Sequence, residues 1–203
     1  MKDISTASVT VVRRESILTI RLNAPERLNA VTTEMLHTCA DAVESAVHDS
    51  SIRVVVLTGA GRAFCSGAYL TNPSDGAPKC PDMSLVDAAN RLTAAVVGLS
   101  KPVVCALNGV AAGLGVSIAL ACDIVVACED AYFLMAFTKV GLMPDGGATL
   151  LVAASLGRAR ALQLALLAER LSVVIGGRPH VTVGVRPDVS VSGRFMMPVV
   201  RWV

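Results

Sequence analysis

The chain has 203 residues, 53% of them hydrophobic, which is enough apolar material for a sizeable core in one or two domains, one being the simpler arrangement. A formal charge of +2, with Lys and Arg scattered along the chain, leaves no electrostatic footprint for nucleic acid or an acidic membrane surface. Cys39, Cys65, Cys80, Cys105, Cys122 and Cys128 contain no CxxC pair, so neither a zinc site nor a disulfide framework is expected. Residues 1–8 carry charges and hydroxyls where a secretory signal needs an apolar run. The apolar stretch 110–121 is too short and too glycine-rich to span a bilayer. The expectation is a cytoplasmic protein without stable membrane insertion.

In chain order, residues 9–13 and 17–22 are β-branched runs around Arg14-Glu15-Ser16 and predict a hairpin. Met35, Leu36, Cys39, Ala42, Val43 and Ala46 recur at helical spacing and predict an amphipathic helix over 32–47, capped by Thr32 or Thr33. Val54-Val55-Val56-Leu57 reads as a strand buried on both faces that delivers the loop Thr58-Gly59-Ala60-Gly61. Residues 71–83, with Pro73, Gly76, Pro78 and Pro81, read as a mobile surface loop. A helix over 85–99, a strand over 103–107, a glycine-rich turn entering a helix over 109–121, and a strand over 123–127 follow. This alternation predicts parallel crossovers. Residues 141–147 form another loop, and 148–169 read as helix broken near Gly157. Beyond Leu171 no helical or strand period is sustained, and no stable element is derived.

Two glycine-rich segments carry the chemistry. Gly61-Arg62-Ala63-Phe64-Cys65-Ser66-Gly67-Ala68 follows a strand, and its small residues allow backbone N–H groups to approach a ligand; an unliganded tight turn reads the same. Asn108-Gly109-Val110-Ala111-Ala112-Gly113-Leu114-Gly115 lies between a strand and a helix, whose free N-terminal N–H groups stabilise negative charge on an oxygen; close helix packing is the alternative. Facing each other, the two loops would form an oxyanion hole. A dinucleotide fingerprint is disfavoured because the GxGxxG order is missing.

Together with Arg27-Leu28-Asn29-Ala30-Val31, the run 101–115, Ala121-Cys122-Asp123-Ile124-Val125-Val126-Ala127 and Gly141-Leu142-Met143-Pro144-Asp145-Gly146-Gly147, these segments resemble, in order and spacing, the enoyl-CoA hydratase/isomerase (crotonase) family. The resemblance covers residues 8 to about 171. It implies an α/β, crotonase-like (ClpP/crotonase) fold of repeated β-β-α units, with a core domain over 1–171. It also implies an acyl-CoA substrate, with CoA entering as part of the substrate and no metal or redox cofactor, and a homo-oligomer, trimer or hexamer. By this resemblance the two N–H groups that hold the thioester carbonyl fall on Ala68 and Leu114, within loops formed by Ala63, Ser66, Gly67, Gly113 and Gly115. Leu114 stands where glycine is frequent, so its side chain must turn away from the substrate. Arg27, Leu28 and Ala30 match the segment that lines the CoA channel, where Arg27 either meets a phosphate or is a solvent-facing arginine.

The hydratase branch uses two glutamates, and their positions fall on Ser117 and Phe137, neither of which can act as a carboxylate base. Asp145 matches the single carboxylate of the isomerase branch, which moves a proton from C2 to C4; the alternative structural reading is a helix N-cap ahead of 148–154. Tyr69 departs from the acidic residue frequent after the first donor, and Asp123, Glu129 and Asp130 read as structural or surface acids. No thiol nucleophile is expected at Cys65. The leading expectation is an enoyl-CoA isomerase. The alternatives are a hydratase and a catalytically impaired relic that binds acyl-CoA. Residues 172–203 do not match the family's covering helices, and a shifted reading frame near Ser172, leaving an arbitrary or disordered tail, is the expectation for them.

Overall fold

The chain is built from one repeated unit of two strands followed by a helix. The computed structural model describes residues 4–5, 8–70, 83–175, 178–179 and 181–182. After the two-residue β1 (Ile4–Ser5), the first unit is β2 (Val9–Arg14), β3 (Ile17–Leu22) and α1 (Thr33–His48). The second is β4 (Val54–Gly59), β5 (Ala63–Cys65) and α2 (Met83–Gly98), and the third is β6 (Val103–Leu107), β7 (Val110–Ala112) and α3 (Leu114–Ala121). Then come β8 (Ile124–Ala127), β9 (Tyr132–Leu134), a 3-10 turn at Ala136–Val140, α4 (Ala148–Leu156) and α5 (Arg158–Leu167).

The two strands of the later units go to different sheets. β3, β4, β6 and β8 run parallel in a seven-stranded sheet of order β1-β2-β3-β4-β6-β8-β13, where β13 is Val181–Thr182. β5, β7 and β9 run parallel in a small sheet that β10 (Arg170–Ser172) extends at the β9 edge. β11 (Val174–Ile175) and β12 (Arg178–Pro179) pair with each other. This is the α/β arrangement with parallel crossovers that the alternating pattern predicts.

The hairpin and the helices lie close to their predicted bounds. Thr32 caps α1, its hydroxyl oxygen accepting the Met35 N–H at 3.3 Å, and Met35, Leu36, Cys39, Ala42, Val43 and Ala46 are all buried. Lys101 Nζ donates to the carbonyl oxygens of Ala46 and Asp49, closing the end of α1 against the start of β6. Asp123 accepts the Val103 N–H at 2.7 Å, a structural role that ties the entry of β8 to β6.

Three expectations need correction. The large sheet is not buried on both faces. Val55, Leu57, Val103, Cys105, Leu107 and Val125 are in the core, whereas Val54, Val56, Val104 and Ala106 alternate with them half-buried and Val126 is 43% exposed. β-branched residues suit either a covered or a partly covered pleat, so a valine run does not report how many layers flank it. The turn expected after Gly109 contains β7, and the loop expected after Gly61 contains β5, each a strand of three residues and too short to show a period. β10, which ends one residue past Leu171, pairs with β9. The loop expected over 71–83 lies, up to residue 82, outside the described residues.

Candidate active site

The parallel pairing of β5 with β7 decides where the two glycine-rich loops meet. Parallel neighbours end on the same side, about 5 Å apart, so the segment leaving β5 at Ser66 and the segment leaving β7 at Gly113 emerge together. A Cβ built on Gly67, whose φ is +104°, would lie 3.1 Å from the Ala112 oxygen and 3.6 Å from Leu114 N. A Cβ on Gly115 would lie 2.4 Å from the Cys65 carbonyl oxygen, so the first turn of α3 can sit on the end of β5 only because it carries glycine there.

Among the described residues, no main-chain bond is made by the N–H groups of the two expected donors. Ala68 forms an isolated parallel bridge with Val31, in which the Val31 N–H donates to the Gly67 oxygen at 2.8 Å and the Tyr69 N–H donates to the Val31 oxygen at 2.9 Å. The Ala68 N–H, between these two, faces the opposite side of the strand. Leu114 is the first residue of α3, and its N–H precedes the intrahelical ladder. Neither N–H is taken up by a main-chain carbonyl among the described residues.

Two asparagines hold the frame around these donors. Asn29, fully buried with φ +56°, accepts the Ala24 N–H at 2.8 Å and donates to the oxygens of Ala60 and Ala63, each at 2.8 Å. Asn108 donates to Gly61 and Ala63 and accepts from Gly59 N–H at 3.0 Å. The segment Arg27–Ala30 is thereby seated beside β5, and Ser66 N–H donates to the Leu28 oxygen at 3.0 Å. Both asparagines lie within the sequence motifs, where a short polar residue flanked by glycine-rich turns is the one sign of this role.

Asp145 lies in the turn before α4, against α3. Ser117 Oγ donates to the Asp145 main-chain oxygen at 2.9 Å, and a Cβ on Gly146 would fall 2.6 Å from Leu114 Cδ1 and 3.0 Å from Ser117 Cβ. Leu114, 1% exposed, therefore turns its side chain toward the Asp145-Gly146 turn. The Asp145 side chain does not cap α4: the N-cap is Gly147, and no side chain bonds the helix end. Asp145 Oδ1 is buried and lacks a hydrogen-bond partner, and burial raises the carboxyl pKa above its ordinary value.

Ser117 is fully buried, and Phe137 presents its ring about 4 Å from where a Gly113 Cβ would be. Neither position offers a second carboxylate. Cys65 is buried and its thiol is pushed up to about 12 by desolvation, which makes it inert as a nucleophile near neutral pH. Arg27 is half-buried and Tyr69 is 46% exposed. A cavity of about 450 Å³ lined by Leu28, Arg62, Asn108, Val110, Asp130 and Tyr132 lies toward the opposite ends of β5, β7 and β9 from the two donors. Among the described residues, no group of three His, Cys, Asp or Glu side chains could hold a metal ion, and no helix is long and apolar enough to cross a membrane.

The parallel pairing of β5 with β7 thus brings two glycine-rich turns together, beside the turn that carries Asp145. The profile of the enoyl-CoA hydratase/isomerase family matches residues 12–175, and the chain belongs to that family. It is 46% identical over 161 residues to the 1,2-epoxyphenylacetyl-CoA isomerase of Escherichia coli (strain K12), covering 78% of this chain and 62% of that protein. It is 39% identical over 177 residues to a probable enoyl-CoA hydratase of Rhodobacter capsulatus, covering 86% and 67% respectively. The solved enoyl-CoA hydratase from Mycobacterium avium subsp. paratuberculosis K-10 superposes with a TM-score of 0.76 at 45% identity, over 83% of this chain and 63% of that one. The fold is the crotonase fold, and the chain spans about two thirds of the length of these relatives.

Proposed function

We propose that the chain acts on an enoyl-CoA thioester and shifts its double bond through a single carboxylate. In this reading the N–H groups of Ala68 and Leu114 hold the thioester oxygen, and Asp145 removes a proton from C2 of a 3-enoyl thioester. Negative charge then spreads onto that oxygen as a dienolate. Protonated Asp145 returns the proton at C4, leaving a C2=C3 double bond, so atoms and charge balance. The observation that supports this most is Asp145 Oδ1, a buried carboxylate oxygen without a partner, in the turn against the helix whose first N–H is a donor. A carboxyl group with one unpartnered oxygen, raised by burial against a smaller lowering by its own backbone N–H, suits proton transfer between carbon atoms.

Leu28, Ala30, Ala63, Ser66, Gly67, Gly113 and Gly115 belong to the same proposal as the walls of the thioester channel. CoA enters only as part of the substrate. A homo-oligomer, trimer or hexamer, is included as well, supported by Leu150, Leu166 and Leu167 of α4 and α5, each more than half exposed.

The test is a paired assay with the full chain. Conversion of a 3-enoyl-CoA to its conjugated isomer, with no hydration of a 2-enoyl-CoA, is the expected result. Hydration of the 2-enoyl-CoA alone would replace the isomerase reading. Binding of both thioesters without turnover would mark an acyl-CoA-binding module.

A further inference from the structure

Tyr69 follows the donor Ala68 directly, and the Arg27 guanidinium carbon lies 5.1 Å from the centre of its ring. That guanidinium is held from three other directions. Nε donates to the Ala30 oxygen at 3.1 Å, Nη2 contacts Met35 Sδ at 3.3 Å, and Nη1 lies 3.6 Å from Glu26 Oε1. Met35 is a buried residue of α1, so the cation is anchored to the core on one side and to the Tyr69 ring on the other.

The strand that carries the first donor needs such an anchor. Beyond β5, the segment that carries Ala68 is joined to residues 27–31 by the isolated bridge to Val31 and by Ser66, whose N–H donates to the Leu28 oxygen and whose hydroxyl donates to the Arg27 oxygen at 3.3 Å, and not by a continuous ladder. The Tyr69 ring is 46% exposed, so burial does little to immobilise it. A cation stacked over an aromatic face supplies orientation where packing does not. We propose that Arg27 and Tyr69 form a brace that sets the direction of the Ala68 N–H. Both are then positioning residues for the oxyanion, and Arg27 acts on the donor strand and not on a CoA phosphate. This rests on the reaction proposed above for its kinetic consequence, and on geometry alone for its structural one.

The experiment compares the full chain with R27A, Y69A, Y69F and the R27A/Y69A double variant. Each is assayed with the 3-enoyl thioester of CoA and with that of pantetheine, which lacks the nucleotide phosphates. The brace requires R27A and Y69A each to lower kcat about 3- to 30-fold on both thioesters with KM little changed. The double variant should be no worse than either single one, and Y69F should recover most of the activity. A defect confined to the KM of the CoA thioester would make Arg27 a phosphate contact and overturn the brace, as would losses that multiply in the double variant. If the unaltered chain turns over neither thioester, the proposed reaction fails, and amide hydrogen exchange decides the brace alone. Faster exchange confined to residues 66–70 in Y69A, with α1 unchanged, supports it; unchanged exchange at 66–70 overturns it. Because Tyr69 is exposed, Y69A tests the brace even if R27A does not fold.

Discussion

The Ser117 hydroxyl donates to the Asp145 carbonyl oxygen at 2.9 Å, tying the turn that carries the candidate base to the helix that begins with the candidate donor Leu114. Ser117 and Leu114 are three residues apart on α3 and so share a face, and both meet the Asp145-Gly146 turn. A serine standing where the resemblance puts a hydratase carboxylate thus has a positioning task for the carboxylate that is present.

Replacing Ser117 with alanine should therefore affect turnover as well as stability. The part-buried Asp145 main-chain oxygen loses its side-chain donor, a loss of about 1 kcal/mol in stability. With the turn less firmly held, kcat should fall about tenfold, with KM nearly constant. Thermal unfolding and steady-state kinetics of S117A check both; a lower Tm with unchanged kcat would reduce Ser117 to packing.

Asp145 should impose a pH dependence of opposite sign to that of a salt-bridged carboxylate. Burial raises its pKa in the folded chain, so between the unfolded and folded values the native state binds more protons than the unfolded state. Stability contributed by this group is present at low pH, falls as pH rises through that window, and stays lost above the folded pKa. Asp145→Asn should remove that slope and raise Tm at neutral pH, while lowering kcat about 100- to 10,000-fold. In the unaltered chain kcat/KM should rise with pH as Asp145 loses its proton, at a midpoint above the ordinary carboxylate value. A midpoint at the ordinary value would show that burial does not tune the base.

Two glycine-to-alanine substitutions should move stability in opposite directions. A Cβ at Gly115 would lie 2.4 Å from the Cys65 main-chain oxygen, and neither backbone can yield without separating α3 from β5. Gly98, the last residue of α2, has nothing within 4 Å of its Cβ position. G115A should cost about 2 kcal/mol or more and abolish turnover, whereas G98A should be neutral or stabilising by up to about 1 kcal/mol. Denaturant titration of both variants measures this directly.

Thiol labelling reports the same packing without any substrate. Cys39, Cys65, Cys105 and Cys122 are buried, and desolvation pushes Cys39 and Cys65 up to about 12 and Cys105 well above its usual value. Cys128 is exposed in the segment between β8 and β9. Native protein treated with iodoacetamide and mapped by mass spectrometry should carry the label at Cys128 and remain protected at those four buried thiols until denatured. Labelling of Cys65 in the native state would place the end of β5 in solvent.

Much of this protein could be read from residue order. Periodicity places α1 and α2, Thr32 marks the start of α1, and the alternation of apolar runs with helices predicts the parallel crossovers, because these depend on neighbours within one or two turns. The motif pattern marks Ala68, Leu114 and Asp145 as the residues to examine. β5 and β7 escape such a reading, being only three residues long and formed through pairing within the small sheet that also holds β9. The covering of one face of the large sheet is likewise set by where helices pack, since valines tolerate both environments.

The sequence alone determined which side chains are available: one carboxylate in the 141–147 turn, glycines where two loops must touch, and no acid at 117 or 137. Only the tertiary structure decided that the Asp145 side chain leaves α4 uncapped, that Leu114 turns toward Gly146, and that Arg27 stacks on Tyr69. Burial, hydrogen-bond exhaustion and ring contact are relations between residues distant along the chain, and folding alone brings those partners together.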